Sequence, residues 1–166
     1  TVRDAIQDNL DLRVSADRDD TGAAMSTADE LRATYAELIG AEQQDIGLGF
    51  NTSFGINLAA FGLPLNEGDE VLVVDVEFPA LVYTFKAAAE ARGFEIKIVP
   101  TTNRQFDLDL LEKAITPRTR VIAVSWVQFF NGYKADLSEL TALCKKHGLW
   151  LLVDGIQGMG VEPVDV

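Results

Sequence analysis

"EVLVVDVEFPALVYTFKAAAEARGFEIKIVP", residues 70–100, decides the fold. Its opening stretch, 70–76, is a nearly continuous apolar run of strand length, its closing stretch, 94–100, is an apolar run broken by Glu95 and Lys97, and residues 79–92 between them read as helix. A strand apolar along its whole length has no side left for water, so both of its faces must be covered. Two such strands joined through a helix therefore belong to a parallel sheet with helices packed on it. Pro79 sits at the first turn of that helix, where its missing N–H costs no hydrogen bond.

Outward from this unit the same beat continues. "DIGLGF" (45–50) reads as strand and 53–62 as helix, with "NEGDE" (66–70) as the turn leading into the quoted stretch. Beyond it, 109–116 reads as helix, "RVIAVSWV" (120–127) as strand, 136–147 as helix and "LWLLVD" (149–154) as strand. Asp109 and Asp136 each precede a glutamate by three residues, a spacing suited to helix caps. Toward the N-terminus, Thr27 and Glu30 in "TADE" have capping-box spacing, Leu31, Tyr35 and Leu38 share a helical face, and Gly40 supplies a left-handed stop. Residues 1–20, with "DRDD" near their end, are polar and irregular and read as a helix tail followed by a loop. The expectation is an α/β protein, a three-layer α/β/α sandwich on a mainly parallel sheet. One domain spans 21–166, with no internal repeat or linker to divide it.

The chain has 166 residues, 48% of them hydrophobic and 24% charged, and a formal charge of −12. That acidity argues against nucleic acid, whose binders carry clustered lysine and arginine. No run nears the ~18 apolar residues that a membrane span needs, and no basic stretch precedes an apolar leader. Cys144 is the only cysteine, so neither an intrachain disulfide nor a cysteine-based metal cluster is expected, and a cytoplasmic setting fits. No metal site is expected.

Ligands of open parallel sheets bind beyond the carboxyl ends of the strands. The segments that fall there are "NTSFG" (51–55), "EFPA" (77–80), "QFFNG" (128–132) and "DGIQG" (154–158). Thr52 and Ser53 stand at a helix start, where they either cap the helix or join its free amides in holding an anion. Phe78 is either core or a flat wall against a planar ligand. Asp154, after five apolar side chains, either caps the following turn or meets a cation, since a buried carboxylate is costly alone. An anion cradle, a flat plate and a fixed negative charge on one sheet edge are what pyridoxal phosphate requires. Asp154 would keep the ring nitrogen protonated, and the protonated ring would stabilise negative charge at a substrate's α-carbon.

"NTSFGINLAA", "GDEVLVVDVEFPA", "VIAVSWVQFFNGYKADLSELTALCKKHG" and "LLVDGIQGMGVEPVDV" resemble, in order and spacing, the class V aminotransferase group of fold-type I pyridoxal-phosphate enzymes, which includes cysteine desulfurases, kynureninases and isopenicillin epimerase-like proteins. The resemblance runs over about residues 21–166. It implies that these residues are part of the cofactor-binding large domain. Asp154 then falls at the pyridine nitrogen, Gln157 near the ring's phenolic oxygen, Thr52 and Ser53 with the backbone of Phe54 at the phosphate, and Phe78 on the ring. Gln128 lies in a segment that often sends a polar group to the cofactor. A transaminase, or a lyase cleaving C–S or C–C bonds of an amino acid or amine, and a homodimer are what the family implies.

Two departures accompany it. Desulfurases carry a stacking histidine where this chain has Phe78, which exchanges no proton, and Cys144 does not match their sulfur-accepting cysteine. The family's Schiff-base lysine lies a little beyond the aspartate strand. None of Lys86, Lys97, Lys113, Lys134, Lys145 and Lys146 matches it, so the sequence reads as a fragment, inactive by itself, without the C-terminal domain. His147, the sole histidine, closes a helix and reads as structural. Two rivals remain: a nucleotide-binding domain, since "GLGFNT" (47–52) nearly completes GxGxxG and Asp75 ends the next strand, and a non-catalytic binding or dimerisation module on the same fold.

Overall fold

Four parallel strands, β1 (Glu70–Val74), β2 (Glu95–Val99), β3 (Thr119–Ser125) and β4 (Trp150–Asp154), form one sheet in the order β2-β1-β3-β4. They belong to a computed structural model that describes residues 1–14, 20–105 and 107–166. The helices are α1 (Val2–Val14), α2 (Asp20–Ile39), α3 (Thr52–Gly62), α4 (Pro79–Arg92), α5 (Leu108–Ala114) and α6 (Leu137–His147), with a 3-10 turn at Gln43–Asp45.

The period of two in the strands divides the core. Val71, Val73, Val121 and Ala123 pack with Ile56 and Ala60 of α3 and Leu81, Phe85 and Ala88 of α4. Leu72, Val74, Ile122 and Val124 face the other way, onto Leu111 of α5 and Leu140, Leu143 and Cys144 of α6. The sandwich of three layers is thus as expected; the central strands are buried, β1 throughout and β3 at every position but Arg120, whereas the edge strands β2 and β4 leave residues such as Ile98 and Trp150 exposed rather than covered on both faces. From β1 the chain crosses to β2 on one side and then to β3 on the other. The strand order therefore reverses between β1 and β3, which opens a crevice at their carboxyl ends.

Charged groups pin the opposite, amino ends. Glu70, buried at the start of β1, accepts the Thr116 hydroxyl at 2.6 Å and pairs with Arg118, and these donors hold its carboxyl below the ordinary carboxylate range. On the side of α3 and α4, the Arg92 guanidinium donates to four carbonyls, those of Ala60, Phe61, Leu63 and Leu65, at 2.8–3.0 Å. Those of Ala60 and Phe61 are acceptors that the end of α3 leaves open, and the other two belong to the turn that follows it.

The chain divides into two compact units, Thr1–Leu48 with Pro163–Val166, and Gly49–Glu162. The second holds the sheet with α3 to α6. In the first, Gly40 takes φ +72 after α2, as a left-handed stop requires, and Val166 N donates to Ile39 O at 3.0 Å. Residues 2–14 form a full helix with no buried residue. The loop expected around "DRDD" lies for the most part outside the described residues.

Three local expectations are corrected. Residues 45–50 are not a strand: the 3-10 turn ends at Asp45 and the following residues pair with no neighbour. Gly47 and Gly49 alternate with Ile46, Leu48 and Phe50 there, and a run with so few side chains to pack gains little from a ladder. α2 begins at Asp20, so Thr27 lies inside it rather than at its cap. The cap of α5 is Asp107, which accepts from Leu110 N at 3.1 Å, not Asp109. Asp136 caps α6 and Pro79 opens α4 as expected.

Candidate functional site

At the carboxyl edge of the sheet a cavity of ≈150 Å³ is lined by Thr52, Ser53, Phe78, Ser125, Asp154 and Gln157, among others. Five of the seven expected site residues therefore meet in one place. Asn51, not Thr52 or Ser53, caps α3, accepting from Phe54 N at 2.9 Å. That leaves the amides of Thr52 and Ser53 at the positive end of the helix, with their hydroxyls, free of any hydrogen bond among the described residues. The cap reading of these two hydroxyls is set aside by Asn51.

Phe78 is 43% exposed and packs edge-to-face on Phe129, with ring centroids 5.1 Å apart, so it is a wall of the cavity and not core. Asp154, at the last position of β4, is 4% exposed. Its Oδ1 accepts from Ile156 N at 3.1 Å, the turn-capping bond, yet no cation pairs with it among the described residues. Behind it the "DGIQG" turn brings Gln157 back over the cavity. Gly158 makes this path feasible, because a Cβ there would lie 2.4 Å from the buried ring of Trp126.

Phe54 and Gln128 are placed elsewhere. The Phe54 amide is already used by the Asn51 cap, and its ring lies against Phe50 at 5.4 Å. Gln128 is buried at 1% exposure and donates from Nε2 to Glu77 at 3.0 Å, outside the cavity lining, with its Oε1 left without a partner.

Glu77 is the residue that sequence reasoning passed over. It is buried in the crevice between the ends of β1 and β3. Its carboxyl accepts Ser125 N at 3.0 Å, Ser125 Oγ at 2.5 Å and Gln128 Nε2. Burial pushes this carboxyl above the usual carboxylate range; the bonds from Ser125 and Gln128 oppose the rise and the Asp154 charge adds to it. The available signal was the same as for Asp154, an acid directly following an apolar strand.

Free amides and hydroxyls at one end, an aromatic wall and a buried carboxylate lacking a cation suit a flat cationic ring that carries an anionic group. Among the described residues no three histidine, cysteine or acidic side chains are grouped so as to hold a metal ion. Burial pushes the Cys144 thiol up to about 11, so at neutral pH it is an inert core residue. His147 is tied to Glu112 at 2.9 Å at the end of α6. "GLGFNT" lacks the preceding strand that a dinucleotide fingerprint needs, and Asp75 spends Oδ1 on Thr101, at 3.1 Å to N and 2.7 Å to Oγ1.

A family model, aminotransferase class-V, matches residues 6–166. This chain belongs to the aminotransferase class-V family. Among relatives of this class-V chain is a cysteine desulfurase of Klebsiella pneumoniae subsp. pneumoniae, 30% identical over 148 residues, which are 87% of this chain and 36% of that protein. Two similar structures are of C-DES. One is a mutant with glycine covalently linked to the PLP cofactor, at TM-score 0.83 and 25% identity over 93% of this chain and 42% of that one. The other is the cystine C-S lyase C-DES with its reaction product cysteine persulfide, at TM-score 0.83 and 26% identity over 91% and 42%. The class-V chain thus spans less than half the length of each of these proteins.

Proposed function

We propose that residues 21–166 are part of the cofactor-binding large domain of a pyridoxal-phosphate enzyme, acting on an amino acid or amine as a transaminase or as a lyase of C–S or C–C bonds. One observation carries the reading: Asp154 is buried, with no cation pairing with it among the described residues, in the same cavity that presents the free start of α3 and the Phe78 ring. Thr52 and Ser53 bind the phosphate through amides and hydroxyls, with the helix dipole favouring its charge. Asp154 holds a proton on the ring nitrogen, and its bond to Ile156 N fixes the carboxylate that does so. Phe78 would cover one face of the ring and exclude water from it, and Gln157, across the cavity lining, would serve the phenolic oxygen. Pyridoxal phosphate, when bound, supplies an electron-withdrawing ring that stabilises negative charge at the substrate's α-carbon.

Phe78 moves no proton, so proton transfer to or from substrate falls to other groups of the complete protein. The kinship with a desulfurase and with a cystine lyase supports sulfur-containing amino acids as the first substrates to try. A homodimer working in the cytoplasm completes the proposal on family grounds, and the charge of −12 disfavours nucleic acid as a partner. No helix among the described residues is long and apolar enough to cross a membrane.

The test is an absorption spectrum of the intact protein with added pyridoxal phosphate, before and after borohydride and then with candidate amino acids. A visible band that borohydride bleaches and amino acids shift is the expected result. A spectrum showing no such band refutes the assignment.

A further inference from the structure

A second, wider cavity of ≈530 Å³ lies beyond the carboxyl ends of β1 and β2, lined among others by Asp75, Glu77, Asn103, Arg104, Phe129 and Phe130. Its loop is built in an unusual way. Thr102 and Gln105 form an antiparallel bridge, Gln105 N donating to Thr102 O at 3.0 Å, and the two residues between them are both left-handed: Asn103 at φ +53 and Arg104 at φ +60. Tight turns of this kind favour glycine at the second place. An arginine there carries the strain of its Cβ, which directs attention to its side chain. The position is also held from outside, by Asn131 Nδ2 donating to Arg104 O at 2.8 Å and by the guanidinium lying 4.5 Å from the Phe130 ring centroid. In a chain with 26 acidic and 14 basic side chains, this guanidinium has no ion-pair partner among the described residues.

We propose that this cavity is a binding site for a monocarboxylate with a flat apolar body, its carboxylate on Arg104 and its body against Phe129 and Phe130. A planar guanidinium stacked on an aromatic ring is oriented for bidentate contact with a carboxylate. The phenylalanines are half exposed and crossed at 68°, which gives the body two faces to rest on. Asp75 and the carboxyl of Glu77, both in the lining beside the one guanidinium, disfavour a dianion, which restricts the class to a single negative charge. The site goes beyond the cofactor cavity, with which it shares the Phe129 wall; Arg104 and Phe130 line the wider cavity alone.

The probe is benzoate, with benzyl alcohol as its uncharged counterpart, titrated calorimetrically into the intact protein. Benzoate binds and benzyl alcohol binds at least tenfold more weakly. Arg104→Gly suits the left-handed backbone and so keeps the thermal midpoint, but weakens benzoate tenfold or more; Arg104→Lys retains part of the affinity. Absence of benzoate binding, equal affinity for the two probes, or unchanged benzoate affinity in a folded Arg104→Gly protein overturns the proposal.

Discussion

Asp154 and Glu77 stand at the ends of strands separated only by β3, both buried, in opposite circumstances. Asp154 accepts one backbone amide and faces the smaller cavity, whereas Glu77, at the edge of the wider one, is tied to Ser125 and Gln128. In the intact protein, Asp154→Ala is expected to retain cofactor, seen by its absorbance, while turnover falls about a hundredfold or more. Ser53→Ala should do the reverse, weakening cofactor binding first. For Glu77 the folded pKa lies above the ordinary 4.5, so the folded state binds more protons there than the unfolded one. Its stabilising contribution is complete below that ordinary value and is lost as pH rises through the folded pKa. Urea midpoints of Glu77→Gln between pH 4 and pH 8 should accordingly fall less with rising pH than those of the parent; parallel profiles would refute the assignment. Asp154 was legible because a lone charge follows a greasy run. Glu77 was obscured by Asp75 two positions earlier, and spacing alone does not say which of the two acids turns inward.

At the scale of elements, the βαβ unit over 70–100 was legible almost to the residue, because the apolar runs and Pro79 agree; the structure adds a left-handed Gly93 at φ +80 that ends α4. Boundaries failed where two signals competed. Helix-favouring residues ahead of Thr27 extend α2 through the apparent capping box, and Asp107 captures the cap that Asp109 was expected to form. The turn after β4 gives the sharpest prediction. Gly158→Ala puts a methyl into the Trp126 ring, so the turn must shift, costing about 1–3 kcal/mol by overpacking and moving Gln157 off the cavity. Thermal unfolding together with cofactor titration checks both effects; a variant of parental stability and affinity would show that the turn accommodates the methyl freely.

For the whole molecule, alternating strands and helices announced a parallel sheet but not its order. Local sequence carries no record of which strands become neighbours, since β2-β1-β3-β4 arises from how each crossover packs. Both hydrophobic clusters lie inside Gly49–Glu162. A chain limited to residues 49–162 is therefore expected to show helix and strand by circular dichroism and one cooperative urea transition, and a broad, non-cooperative melt would count against its independence. The start of α3, with its free amides, and the aromatic wall at the start of α4 face the same cavity from the front, and Arg92 of α4 fastens the rear to the end of α3 and the turn after it through four carbonyls. Two jaws clamped at the back keep a set gape. Whatever enters between them meets a calliper with its screw already tightened, and any widening has to come from the loops at the mouth.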